Sequence, residues 1–236
     1  MRIDRVLSDM GIASRKESAA VARRGGVTVN GTVIKDSAKH IDPERDALCY
    51  LGRRIVWRPF TYVMLNKPEG YVSATEDRSL PCVVELLPDE LRRLDLFPVG
   101  RLDRDTVGLM LLTNDGALGH DLLSPRHHVK KQYRFSCAEP LCPDAEQRFL
   151  DGIVLADAER CKSAELLADG DRMGGVITLT EGKYHQIKRM LGAIDNRIIT
   201  LERIRFANLT LSEGMERGEW RHLTKEEIEM LLATQK

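Results

Sequence analysis

The sequence lacks long apolar runs and contains few cysteines. None of its apolar stretches approaches the roughly 20 residues that a membrane-spanning helix needs, and the segment from Met1 to Arg5 has no apolar signal-peptide core. The five cysteines are odd in number and form no CxxC pair, which is typical of free thiols in a reducing compartment. We therefore predict a cytoplasmic protein without a membrane segment.

Motifs for nucleotides, metals and hydrolysis are also missing. The chain contains no GxxxxGKS/T or GxGxxG phosphate loop and no GxSxG nucleophile elbow. His120, His127 and His128 stand outside any HExxH pattern, and no cysteine pair lies near them. These absences predict a protein that works without a nucleotide cofactor or a metal ion.

The net charge of zero hides an uneven distribution. Residues 1–58 hold 12 lysines and arginines against 7 acidic residues, whereas the rest of the chain holds 24 against 29. This distribution predicts a nucleic-acid contact confined to the N-terminal part. A solvated basic surface is the alternative.

The first 50 residues carry signals for two short helices and a hairpin. Apolar residues recur at helical spacing up to Gly11, which closes the first helix. Ser14 and Glu17 form a capping-box pattern at the start of the second. Asn30-Gly31 then lies between two β-rich runs, as in a two-residue hairpin turn.

With the basic residues of its second helix, this segment resembles the S4 RNA-binding domain. The resemblance implies that a row of cations lies along RNA phosphates and gives affinity with little sequence information. These residues are Arg15, Lys16, Arg23 and Arg24. The charged stretch 52–59 ends in proline and predicts the end of this domain and a linker, so the first domain covers residues 1–58.

Many strand patterns and few helices follow in residues 59–236. Apolar runs predict strands at 60–65, 71–75, 109–112, 130–137, 175–180, 198–201, 204–206 and 209–211, and helices at 83–87, 117–123, 143–150 and 225–232. Strands and helices do not alternate regularly. We therefore predict an α+β fold, with a small N-terminal α/β-hairpin domain followed by a mixed, largely antiparallel sheet.

The stretch Val99–Gly108 places two acids and two arginines between glycines, just before the predicted buried strand. An acid at the mouth of such a strand, held by arginines, lies where an enzyme can place a reactive carboxylate. A charged turn is the commoner role of such a segment. The stretch alone leaves both interpretations open.

An ordered series of motifs covers nearly the whole chain. Its members are Leu65–Gly70, Gly100–Gly108, Leu112–Gly116, Lys131–Tyr133 and Gly182–Arg189. Together with the S4-like segment, the series resembles the RsuA-type pseudouridine synthases, and GRLDxDTxGL is its most specific part. The stretches 124–128 and 182–190 most resemble the branch that acts on small-subunit ribosomal RNA.

The resemblance implies that Asp103 is the catalytic nucleophile. It would attack the target uridine so that the C–N glycosidic bond breaks, after which the uracil turns and rejoins the ribose through C5. A stacked base is unreachable, so the target is flipped out or already unpaired. The resemblance also places Tyr133 against the uracil ring, with core packing as the alternative. It gives the ion pair with Asp103 to Lys188 or to its neighbour Arg189.

Further residues are candidate contacts to the RNA. Arg101 and Arg104 flank the acid and can hold phosphate or brace the loop. Lys67 follows a strand, and a structural role in the turn is equally compatible with its position. Leu201 is a candidate wall of the base pocket, and Asp105 is expected to shape the loop rather than react.

The leading hypothesis is an isomerase that converts a specific uridine in small-subunit (16S) ribosomal RNA to pseudouridine, without cofactor or metal. The expected partner is ribosomal RNA within a small-subunit assembly intermediate, and the expected state is a monomer. One alternative is the same chemistry on large-subunit (23S) ribosomal RNA. The other is a non-catalytic S4-type RNA-binding or ribosome-assembly protein.

Overall fold

The computed structural model describes residues 1–124 and 126–233. Pro125, within the 124–128 stretch, and residues 234–236, at the end of the predicted second domain, lie outside the described residues. The chain divides into two compact units, one formed by Met1–Thr61 with Leu87–Leu96 and the other by Tyr62–Leu86 with Phe97–Lys236. Along the described ranges, no helix is long and apolar enough to cross a membrane.

The first unit combines short helices with a four-stranded antiparallel sheet. Its elements are α1 (Ile3–Asp9), α2 (Arg15–Arg23), β1 (Val27–Val29), β2 (Thr32–Val33), β3 (Leu48–Tyr50), β4 (Arg53–Arg54) and α3 (Asp89–Arg92). The strand order is β2-β1-β3-β4. Apolar side chains of α1, α2 and the sheet, among them Leu7, Ala22 and Leu48, form a buried core.

The expected hairpin is confirmed. Asn30 and Gly31 both adopt positive φ angles, 50° and 78°, as the turn between β1 and β2 requires. The expected linker from Gly52 is in part a strand, because Arg53–Arg54 pairs with β3. Its two exposed arginines suit an edge strand, where charge discourages pairing with other chains.

The segment Leu87–Leu96 groups with the first unit, although the sequence assigned it to the second domain. Gly11 makes its packing possible. With φ at +65°, a Cβ atom at Gly11 would lie 2.6 Å from the carbonyl oxygen of Glu90 and 3.1 Å from the Leu94 side chain. Only glycine permits so close an approach, so the first unit consists of two separate stretches of chain.

The predicted capping box of α2 is confirmed. Ser14 Oγ accepts a hydrogen bond from the Glu17 amide at 3.2 Å, and Glu17 Oε2 accepts one from the Ser14 amide at 2.8 Å. We expect Ser14→Ala to lower the free energy of unfolding by about 1 kcal/mol, measured by chemical denaturation. Ser8→Ala, within α1, is the matched control and should change it by less than about 0.5 kcal/mol. Equal losses in both variants would contradict a capping role.

The second unit is built on one large sheet with helices around it. Its elements are β5 (Tyr62–Lys67), a 3-10 helix (Val83–Leu86), β6 (Phe97–Val99), β7 (Val107–Thr113), α4 (Gly116–Leu123), β8 (Lys131–Cys137), α5 (Ala145–Asp151), β9 (Glu165–Ala168), β10 (Gly174–Leu179), α6 (Gln186–Gly192), β11 (Ile198–Phe206), β12 (Leu209–Thr210), β13 (Trp220–His222) and α7 (Lys225–Ala233). The order is β13-β5-β7-β11-β8-β10-β9, with β6 beside β7 and β12 beside β11.

The predicted α+β class with a largely antiparallel sheet is confirmed. Among the described pairings of this sheet, β7 with β11 is parallel and the others are antiparallel. The strand expected at 71–75 is reduced to a single bridge between Val72 and Cys82. The two strands expected at 198–201 and 204–206 are one strand, β11.

A register shift in β11 places the side chains that matter for the site. Arg203 lies opposite Tyr133 of β8, and Phe206 lies opposite Lys131, with one extra residue, Ile204, inserted between them. Because side chains alternate along a strand, this bulge lets Arg203 and Phe206 face the same side of the sheet as Tyr133 and Lys131.

Candidate active site

A cavity of about 460 Å³ lies beside the central strands β8 and β11 and the start of α6. Five of the residues selected from the sequence line it: Arg101, Asp103, Tyr133, Lys188 and Leu201. They come from the loop before β7, from the two strands and from α6. The fold therefore gathers residues that are up to 100 positions apart around one space.

The Asp103 carboxylate faces this cavity with two basic side chains beside it. Its Oδ2 lies 3.2 Å from Lys188 Nζ, and its Oδ1 lies 3.6 Å from His185 Nε2. The side chain is 30% exposed. A half-buried carboxylate that borders an open cavity can reach a bound substrate.

Lys188 contacts both acids of the loop. Its Nζ lies 2.6 Å from Asp105 Oδ1, closer than to Asp103. Burial opposes ionisation of Asp105, but the hydrogen bond and charge of Lys188 outweigh it and lower the pKa of that carboxyl. The Asp105 side chain is 59% exposed and does not line the cavity. The geometry thus separates Asp103, at the cavity, from Asp105, which holds Lys188 from outside.

Arg189 faces other acids. Its guanidinium lies 2.5 Å from Asp157 and 3.6 Å from Glu159, and it is absent from the cavity wall. Of the two basic neighbours that the sequence left as alternatives, Lys188 is the one that pairs with Asp103.

The prediction that Lys67 contacts RNA is wrong. Its side chain is fully buried and has no surface to offer to RNA. Its Nζ donates hydrogen bonds of 2.8–3.2 Å to four backbone carbonyl oxygens, those of Pro68, Asp103, Arg104 and Thr106. Burial lowers the pKa of Lys67 to about 8. Lys67 therefore clamps the backbone of the loop that carries Asp103, which agrees with the structural role left open from the sequence.

The two loop arginines differ in position. Both side chains are exposed, but Arg101 borders the cavity and Arg104 does not. The carbonyl of Arg104 accepts hydrogen bonds from Lys67 Nζ and from the Gly70 amide. The backbone at Arg104 thus helps to hold the loop.

Tyr133 and Leu201 are nearly buried, with exposed fractions of 8% and 7%, and both lie in the cavity wall. Tyr133 can therefore be both a packed strand residue and a surface for a bound ring. The cavity wall also includes residues that were not selected from the sequence, among them Lys131, His185 and Arg203. The first two stand in the quoted motifs. Arg203 was missed although it stands two positions after Leu201 on β11, where alternation of side chains along a strand puts both on the same face.

In the first unit, the four cations selected from the sequence are exposed along α2 and its C-terminal end. No ion pair within 4 Å involves them among the described residues. Arg15, Lys16, Arg23 and Arg24 are therefore available to an anionic partner.

Comparison with known proteins agrees with this geometry. The model of the RNA pseudouridylate synthase family matches residues 61–193, which include the cavity residues from Arg101 to Lys188. The chain belongs to the RNA pseudouridylate synthase family. Residues 1–46 match the S4 domain, so the resemblance drawn from the sequence motifs is confirmed.

Full-length relatives and a solved structure support the family assignment. The chain is 39% identical to a protein of Bacillus subtilis described as uncharacterized RNA pseudouridine synthase YtzG, over 98% of both chains. It is 40% identical to ribosomal small subunit pseudouridine synthase A of Yersinia pestis, over 97% of both. A crystal structure of a pseudouridylate synthase superimposes with a TM-score of 0.69 at 34% identity and covers 98% of this chain and 99% of its own. This pseudouridine synthase thus shares both of its parts with its relatives.

Proposed function

We propose that this pseudouridine synthase isomerises a specific uridine in small-subunit ribosomal RNA, with Asp103 as the nucleophile. The observation that carries the proposal is the Asp103 carboxylate at the wall of the cavity, 3.2 Å from Lys188 and in the same cavity as Tyr133. The names of full-length relatives, such as the Yersinia pestis protein, support the small-subunit target.

The chemistry follows from these side chains. The target base, flipped out or unpaired, enters the cavity and lies against the ring of Tyr133, where stacking contributes about 1–3 kcal/mol. Asp103 attacks the nucleotide and allows the bond between C1′ and N1 to break. After the ring has turned, C5 bonds to C1′ and the bond between Asp103 and the nucleotide breaks, which frees the carboxylate. The C5 proton leaves and N1 gains a proton. Arg101, exposed at the cavity edge, is placed to hold a phosphate of the target strand.

Release of tritium from RNA labelled at C5 of uridine tests this proposal, because the C5 proton is lost only when C5 becomes the attachment point. We expect release from small-subunit ribosomal RNA, bare or in partly assembled particles, and none from large-subunit RNA. Release from large-subunit RNA alone would move the target and keep the chemistry. Tight RNA binding without release from either RNA would favour the non-catalytic alternative.

The exposed cations of α2 are proposed to contact RNA phosphates. We expect replacement of Arg15, Lys16, Arg23 and Arg24 by glutamine to weaken RNA binding and to reduce the slope of log affinity against log salt by about 3, since each phosphate contact contributes roughly 0.7–0.9. Filter binding across a salt series measures this slope.

Arg45→Gln is the control for that experiment, because Arg45 is an exposed arginine of the same unit outside α2. Its slope should change by less than about 1. An unchanged slope in the fourfold variant would show that α2 does not contact phosphates.

The proposal also covers the compartment, the oligomeric state and the form of the RNA substrate. The enzyme acts in the cytoplasm, as a monomer, on an assembly intermediate of the small subunit. Adding purified assembly particles of increasing protein content to the tritium assay identifies the preferred substrate. Fastest release from an intermediate particle is the expected result.

A further inference from the structure

Two cations stand in the wall of the active-site cavity without an acidic partner. Arg203 is 1% exposed, and its Nε donates to the Leu109 carbonyl at 2.7 Å. Lys131 is partly buried, and its Nζ donates to the Val129 carbonyl at 3.2 Å. Among the described residues neither has a carboxylate within 4 Å, whereas Lys188 on the same cavity has two.

Both cations face the ring of Phe206. The Arg203 guanidinium carbon lies 5.0 Å from the ring centroid and Lys131 Nζ lies 6.0 Å from it. An aromatic face attracts a cation but does not neutralise it. The wall therefore keeps two positive charges in a partly desolvated place, where an unpaired charge is costly. Such an arrangement favours a negative charge that arrives with the substrate.

The reaction supplies such a charge. When the bond between C1′ and N1 breaks, the electron pair stays on the uracil ring and spreads over N1 and the ring oxygens. The ring gives up this negative charge when C5 bonds to C1′, and the later loss of the C5 proton and gain of a proton at N1 leave the ring neutral. Fixed cations beside the ring stabilise the anion, and they need not change position when the charge develops.

We propose that Lys131 and Arg203 form a binding site for the uracil ring in its anionic, detached state. This inference rests on the proposed isomerisation and extends it from the nucleophile to the leaving base. Lys131 and Tyr133 stand two positions apart on β8 and Arg203 lies opposite Tyr133, so the ring that stacks on Tyr133 also lies beside both cations.

The protonation of Lys131 gives the inference a pH signature. Burial, together with the neighbouring charge of Arg203, lowers the pKa of Lys131 to about 8, and the charge of Glu181 partly opposes the shift. A lysine loses its charge as the pH rises through its pKa. If the ammonium stabilises the ring, the rate falls above pH 8; if the neutral amine removed the C5 proton, the rate would rise there. The other titratable groups of the cavity wall are Arg101, Asp103, Tyr133, Lys183, Tyr184, His185 and Lys188.

Single-turnover tritium release between pH 6.5 and 9.5 tests the inference on the full-length protein. We expect Lys131→Met to slow release by about 100-fold, as loss of one fixed charge-stabilising group does, with RNA affinity changed by less than about threefold. Lys131→Arg should retain most activity and decline less above pH 8 than wild type, because arginine stays charged. A decline that both proteins share belongs to Lys67, whose pKa is also about 8. Lys130→Met, the same change at the exposed neighbour, is the control and should behave as wild type.

A binding measurement tests the inference without requiring catalytic turnover. Fluorine makes the ring N–H of 5-fluorouracil more acidic than that of uracil, so equilibrium dialysis of both bases reports preference for the anion. We expect wild type to prefer 5-fluorouracil and Lys131→Met to lose that preference. Wild-type activity with an unchanged rate in Lys131→Met, or a rate that rises above pH 8, would overturn the inference. A wild type without tritium release would instead overturn the proposed function, and the dialysis result would still decide whether the cavity prefers an anion.

Discussion

Replacing Asp103 by asparagine should abolish tritium release from uridine-labelled ribosomal RNA. Asparagine keeps the size of the side chain but removes the nucleophilic oxygen and the charge that faces Lys188 at 3.2 Å. Loss of a covalent nucleophile costs about 10,000-fold or more in rate. RNA affinity should change little, because the exposed cations of the first unit remain.

Asp105→Asn is the matched control, since it removes the other carboxylate bound to Lys188 and leaves the cavity wall intact. Its rate should stay within about tenfold of wild type, in line with the small contribution of an exposed ion pair. The reverse pattern, with Asp105 essential and Asp103 dispensable, would refute the assignment. Thermal unfolding of both variants checks that neither loss reflects misfolding.

Replacing Lys67 by methionine should have the largest effect on stability. The change leaves buried carbonyl oxygens in the 103–106 loop without the ammonium that binds them at 2.8–3.2 Å. We expect the free energy of unfolding to fall by about 3 kcal/mol or more, the cost of leaving buried acceptors without a donor. Chemical denaturation measures it.

The same variant should also lose catalysis, because the loop that carries Asp103 is no longer held. The single-turnover rate should fall while RNA affinity stays near the wild-type value, since Lys67 has no exposed surface. The exposed Lys130→Met variant controls for removal of a lysine. A Lys67→Met protein with normal stability and weak RNA binding would restore the discarded RNA-contact role.

Local sequence patterns predicted much of the site. The motif around Asp103, the apolar run of β7 and the alternation of β8 identified the loop and two strands, because strand periodicity depends on residues within a few positions of one another. The Ser14–Glu17 capping box and the Asn30-Gly31 turn are local in the same sense. These patterns were sufficient for the family and the fold class, both of which are confirmed.

Other features depended on residues distant along the chain. The sequence assigned the segment Leu87–Leu96 to the second domain, but in the structure it packs on Gly11 of the first unit. Arg203 stands on the same face of β11 as Leu201, but only the pairing of β11 with β8 shows that it lies opposite Tyr133. The proposed site for anionic uracil therefore depends on strand pairing that the order of the residues did not reveal.

The sequence by itself determined which residue types stand in the Asp103 loop and which family the chain belongs to. Only the tertiary structure decided the roles of the lysines around that loop. Lys67 is a clamp because backbone carbonyls 36 to 39 positions away close over it. Lys188, rather than Arg189, pairs with Asp103 because its place on α6 turns it toward the cavity. Burial and ion pairing are set by which distant groups meet, and a linear pattern does not contain that information.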